Sequence, residues 1–308
     1  MLGFKLPTKE LVRKSLAARG PVGLLAIIRR GLLLVGMVSF VHPAGAVLFF
    51  STKDPTFNTS PPALAAGGGW NYEGVWGEFT GTAIAPRYFI TAKHLGGSAG
   101  NPFVFHGVQY TTTAFYDDPT GDLRIWHVSG TFPVYAQIYT RQDETGKEFI
   151  LIGRGKQRGP PVWVNGVLKG WSWGVPDSAQ RWGINWVDGT ANDGANVGDV
   201  LVSSFKPGAR GIGAAIADGD SGGAMFINDN GVYKLAGIIT DADGPYNINL
   251  VGPTFDASLL DQGGLFSMTS GQWEYVAPAT HWQPTAFWGP RISSRAAWIG
   301  TILAQPGS

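Results

Sequence analysis

The 308-residue chain contains no cysteine. Disulfides, a thiol nucleophile and a cysteine-ligated metal are all excluded from its fold and chemistry. Charged residues make up 15% of the chain, well under the usual quarter, so polar uncharged side chains must carry part of its solubility. Only five histidines occur, none in a His-Glu-x-x-His arrangement or with a partner at metal-ligand spacing, and there is no phosphate-binding glycine loop. No metal and no cofactor are expected. Long helical periodicities are also scarce, whereas 45 Gly, 20 Pro and 38 aromatic residues are present. That balance predicts an all-β protein with many turns and ample material for a core.

Residues 1–46 hold seven of the 23 basic residues but only one of the 22 acidic ones. A basic stretch ending in Arg29-Arg30, the short apolar run Gly31–Val41 and the small-x-small site Ala44-Gly45-Ala46 together predict a signal peptide. The protein is therefore expected to be secreted, periplasmic or in the cell envelope, with no stable membrane span after cleavage, since the run is short for a bilayer. Beyond Ala46 the chain keeps 16 basic and 21 acidic residues, a formal charge of −5. The basic footprint of a nucleic-acid partner is missing.

Three motifs carry the chemistry. Gly219-Asp220-Ser221-Gly222-Gly223 is a tight turn whose glycines allow positive φ and bring the N–H groups of Gly219 and Ser221 to one side, where they can bind a developing oxyanion. Taken alone, the pentapeptide also fits a glycine-rich β-turn or bulge. Upstream, Thr91-Ala92-Lys93-His94 ends an apolar strand with a histidine, and Asp122-Leu123 opens an alternating strand. A serine needs a base, and His94, Asp122 and Ser221 follow one of the orders in which such triads occur.

These motifs resemble the Ser/Thr-Ala-x-His, Asp-Leu/Ile-Ala and Gly-Asp-Ser-Gly-Gly segments of trypsin-like (chymotrypsin-fold) serine peptidases. The resemblance extends over roughly residues 70–303. Phe149–Gly155 looks like the first strand of a second barrel, Leu235–Ile239 like the strand returning beside the substrate, and Ile292–Ile299 like a C-terminal helix. It implies two six-stranded antiparallel β-barrels with a short C-terminal helix: an extended arm over 47–69, barrel 1 over 70–134, a polar connection to 146, barrel 2 over 147–290 and the helix over 291–303. Phe79 and Leu95 stand where many relatives carry a disulfide beside the histidine, so apolar packing is expected to replace it.

Other features read more plainly. Trp163, Trp171, Trp173, Trp182 and Trp186 suit core or loop packing more than a binding groove, and Asp188–Asn196 suits a solvated turn more than a calcium loop. Asp117 and Asp118 lie in a turn and are expected to be exposed. Asp122 follows His94 by only 28 positions, which implies trimmed loops in the first barrel.

The expected activity is that of an exported serine endopeptidase acting on polypeptides. Ser221 is the nucleophile, His94 the base, Asp122 its partner, and the N–H groups of Gly219 and Ser221 form the oxyanion hole. By resemblance, the substrate strand pairs with the Thr240-Asp241-Ala242 edge. The pocket for the side chain preceding the scissile bond is formed by Ala215, Ile216, Thr240 and Ala242, an apolar set, while Asp243 on the opposite wall, with Asp241 and Asp218 nearby, is able to favour basic residues. In animal relatives a freed N-terminus pairs with the acid beside the serine, and cleavage after Ala46 would free Val47 for Asp220. The rivals are a non-catalytic binding module on the same barrels, an esterase-type acyl hydrolase using the same triad, and a structural cell-surface protein.

Overall fold

The computed structural model describes residues 47–208 and 213–305. The expected export segment, 1–46, lies outside the described residues. The first half is a closed antiparallel barrel of six strands, ordered Glu73–Trp76, Phe79–Ala85, Tyr88–Ala92, Leu123–Val128, Val108–Asp117 and Pro102–Phe105, with the last pairing back onto the first. Its interior is aromatic: Trp76, Phe89, Phe103, Phe105, Trp126 and Phe132 pack together, with Phe89 and Phe103 stacked at 3.8 Å. Closing the sheet on itself leaves no exposed edge over these strands.

The Tyr88–Ala92 strand is buried along its whole length. Alternation explains how. Phe89 points into the barrel, while Tyr88, Ile90 and Ala92 join a second cluster with Ile150, Ile152, Ala224, Phe226 and Ile238 from the other half of the chain. One strand thus belongs to two cores, and it ends at Ala92, two residues before His94.

The later strands form four-stranded sheets, one ordered Arg181–Trp186, Glu148–Gly153, Ala224–Asp229, Val232–Ile238 and the other joining Gly189–Asn192, Asp199–Ser204, Ala286–Pro290 and Asp241–Ala242. Two three-stranded sheets complete the second half. Over the described residues the fold is mostly β, with one closed barrel and a short C-terminal helix. A turn at Ser293–Arg295 leads into the C-terminal helix Ala296–Leu303, whose Ile299 and Ile302 enter the shared core.

Several local expectations change. The strand expected from Trp70 begins at Glu73, because 65–72 forms tight helical turns with left-handed backbone at Ala66, Gly67, Gly68 and Gly69. The 47–69 segment is not a free arm at its start: Leu48–Phe49 pairs with Ala214–Ala215, and Arg158 donates to the Phe50 carbonyl at 2.8 Å while lying 3.7 Å over the Trp171 ring. Trp171 is buried, whereas Trp163 is 53% exposed, so the tryptophans share no common role. The 188–196 run is partly strand, and its Asp193 accepts the Trp288 indole N–H. Phe79 and Leu95 line one cavity with Trp76 and Gly97, so apolar side chains occupy the region where a disulfide was expected to be replaced.

Asp118, expected at the surface, is buried and paired with buried Arg295 at 3.0 Å. Its other oxygen accepts the Thr120 N–H and O–H. The turn preceding Asp122 is therefore fixed to the C-terminal segment, and removing either partner would strand a buried charge at about 3–5 kcal/mol.

Glu73 is another buried acid of the barrel. Its Oε1 accepts the Thr82 O–H at 2.7 Å, and its Oε2 has no partner. Burial raises its pKa from the ordinary 4.5 to about 8. Because the folded-state value is the higher one, its contribution to stability is complete below about pH 4.5 and is lost as pH rises towards 8. Glu73→Gln removes the ionisation, so urea unfolding is expected to show the variant gaining on the wild type from pH 5 to pH 8. A constant difference across that range would mean that Glu73 is already ionised in the fold.

Candidate active site

The antiparallel register Ala92↔Leu123 brings the residues just beyond each strand end together. Lys93 and His94 turn out of the sheet in a single helical turn, Lys93 N donating to the Asp122 carbonyl at 3.2 Å and Lys93 Nζ to the Gly121 carbonyl at 2.6 Å. Asp122 then grips His94 twice. Its Oδ1 accepts the His94 backbone N–H at 2.8 Å and its Oδ2 lies 2.5 Å from Nδ1. The proton therefore sits on Nδ1 and leaves Nε2 as the free basic nitrogen. Asp122 is buried and the imidazole is about half exposed, its pKa raised chiefly by the hydrogen bond to Asp122, with the nearby charge of Asp241 adding to it.

The Ser221 turn is seated on the same elements. Gly222 has φ +81°, and a Cβ there would come within 2.4 Å of the Thr80 carbonyl and Thr91 Oγ1 and 2.8 Å of Leu95 Cδ1. Only glycine lets the turn approach the His94 segment so closely. Ser221 Oγ donates to the Thr240 carbonyl at 3.4 Å, and Thr240 lines a cleft of about 480 Å³ together with His94, Asp122, Val197 and Asp241. No hydrogen bond joins Ser221 Oγ to His94 Nε2 in this structure. Among the described residues, the N–H groups of Gly219 and Ser221 donate to no protein acceptor, although their neighbours Asp220, Gly222 and Gly223 all do.

Asp220 between them is fully buried. Its carboxylate accepts the N–H of Gly155 at 2.7 Å, of Ala217 at 2.8 Å and of Val47. Burial pushes its pKa up to about 7, against these three hydrogen bonds. Glycine at 153 and 155 makes room, since a Cβ at Gly153 would lie 2.1 Å from Asp220 Oδ1 and one at Gly155 2.7 Å from Asp220 N.

The expected specificity residues are distributed differently. Ala215 and Ile216 are buried in the core that holds Leu48 and Phe49 and line no cavity among those described, while Thr240 lines the cleft and Ala242 is half-buried. Asp243 is held by Gln262 Nε2 at 3.0 Å and the Ala286 N–H at 2.7 Å. Asp241, in contrast, is exposed on the cleft wall near His94, and among the described residues its carboxylate accepts only the next backbone N–H. The sequence places Asp241 on the expected substrate edge, and the sheet pairing Asp241↔Trp288 brings it to the cleft wall beside His94.

No family model matches the chain, and no curated protein matches it.

The charge of Asp241 stabilises the imidazolium, so Asp241→Asn is expected to lower the His94 pKa. Measured by NMR titration of the imidazole, the midpoint should lie above the ordinary 6.5 in the wild type and move down in the variant. An unmoved midpoint would show that the two groups do not interact.

Proposed function

We propose that the chain is an exported serine endopeptidase, with a trypsin-like arrangement in which the second half serves as a counterpart to the first barrel. One observation carries this reading: a His94–Asp122 pair with a free Nε2 shares its cleft with the carbonyl that accepts the Ser221 O–H, beside two backbone N–H groups that lack acceptors. A turn serving only to link strands has no need to leave two adjacent donors unused.

In this reading the Ser221 hydroxyl swings from the Thr240 carbonyl to His94 Nε2, which takes its proton as Oγ attacks the substrate carbonyl. The negative oxygen is held by the Gly219 and Ser221 N–H groups. The imidazolium, stabilised by Asp122, protonates the leaving amine, and an acyl-enzyme remains. Water then attacks the ester with His94 again as base, releasing the acid and restoring Ser221. The acyl side of the substrate lies along Thr240–Ala242, and with Asp243 tied to Gln262 and Ala286 it is less available to select a basic residue, which favours an apolar side chain before the scissile bond.

Export is supported by the basic, apolar and small-residue succession in 1–46, and by the burial of Val47 against Asp220. No helix among the described residues is long and apolar enough to cross a membrane. Cleavage after Ala46 would turn the Val47 N–H into an ammonium at a buried carboxylate held by backbone N–H groups, with the Arg181 charge acting from farther off, and so convert a costly buried charge into an ion pair.

Wild-type protein starting at Val47 is expected to label with a fluorophosphonate and to digest casein. Ser221→Ala should abolish the labelling, and either Ser221→Ala or His94→Ala should lower turnover by ~10⁴ to 10⁶ without adding in the double variant. Casein digestion at the wild-type rate by Ser221→Ala would overturn the assignment. Adding three residues before Val47 should slow labelling at least tenfold, on the order of one lost charged contact. Equal rates would separate the Val47 contact from site assembly.

A further inference from the structure

A second pocket adjoins the serine turn at Gly219 and shares no lining residue with the His94 cleft. It has a volume of about 380 Å³ and is lined by Gly219, Asp218, Arg154, Lys156, Asp177 and Glu78, among others. The backbone of Gly155 comes within 3.0 Å of where a Cβ on Gly219 would sit, so this pocket directly adjoins the candidate oxyanion donor. If the acyl side of a substrate runs along Thr240–Ala242, the segment beyond the scissile bond enters here.

The charges in the pocket are unevenly committed. Asp177 is bound to Arg181 at 2.9 Å, and Asp218 to Lys156 at 2.6 Å. Glu78 is exposed, where solvent screens it. Arg154 is half-buried, with its Nε sealed from solvent and without a partner, and its guanidinium makes no hydrogen bond or close ion pair among the described residues. Burial works against its charge, and only the more distant Asp177 offsets that. A partly desolvated guanidinium with unused donors in an open pocket is matched by a planar carboxylate, which can accept two of its N–H groups together.

Resting on the peptidase reading, we propose that Arg154 selects substrates with an acidic side chain, Asp or Glu, in the first two positions after the scissile bond. The test compares two capped peptides that share an apolar residue before the bond and carry Glu-Glu or Gln-Gln after it. The wild type is expected to favour the Glu peptide in kcat/KM by about tenfold or more, in the range of one charge-assisted hydrogen bond. That preference should shrink as salt is raised and vanish in Arg154→Gln. In Arg154→Glu it should invert in favour of a Lys-Lys peptide, a gain that a misfolded variant cannot show. A wild-type ratio near one, or a ratio unchanged in Arg154→Gln, overturns the proposal. If the wild type neither labels with a fluorophosphonate nor cleaves any of the peptides, the peptidase reading has failed. The Arg154 assignment is then decided by anisotropy of the dye-labelled Glu and Gln peptides on the same proteins: Arg154-dependent preference for Glu supports it, and equal binding rejects it.

Discussion

The geometry around Ser221 depends on one buried carboxylate. Asp220 draws the N–H groups of Val47, Gly155 and Ala217, from three separate parts of the chain, onto a single acid sealed from water. A carboxylate so placed tolerates its burial only while all its donors remain in position. Its own flanking N–H groups, those of Gly219 and Ser221, are thereby turned outward with no acceptor. The seating of the first described residues, the glycines at 153 and 155 and the unused donors are parts of one arrangement.

The other half of the site depends on strand register. Because Tyr88–Ala92 is packed on both faces, neither a slip nor a rotation is open to it, and the pairing Ala92↔Leu123 fixes where His94 and Asp122 emerge. The two halves meet where Gly222 touches Thr80, Thr91 and Leu95. A glycine without a side chain thus sets the distance between the candidate nucleophile and its base.

Much of this was legible in the sequence because it is local. The strand leading to His94, the acid opening the strand at Leu123 and the glycines around Ser221 each follow from a short stretch of residues whose pattern dictates its own geometry, while the C-terminal helix was legible only through the resemblance. What was not legible depends on long-range contact. Asp118 sits in a turn that composition marks as exposed, and nothing near it announces Arg295. The 47–69 stretch is rich in Pro, Thr and Gly and reads as an arm, yet Leu48 and Phe49 are core residues because a strand far along the chain pairs with them. The apolar pocket inferred for Ala215 and Ile216 met the same limit: both residues are apolar as expected, but their neighbours fill the space around them. Asp241 and Arg154 stand out only once it is known which carboxylates and cations already have partners.

The Asp118–Arg295 pair also bears on how the molecule matures. Its members are 177 positions apart, and the earlier one holds the turn on which Asp122 stands. In a nascent chain still lacking its C-terminal segment that turn is unpinned, and its carboxylate must remain hydrated. The histidine would then have no steady partner until synthesis had passed Arg295. In the proposed peptidase, which could otherwise attack polypeptides around it during its own production, such a late-arriving clasp would keep the half-made molecule harmless without an inhibitor or a redox step.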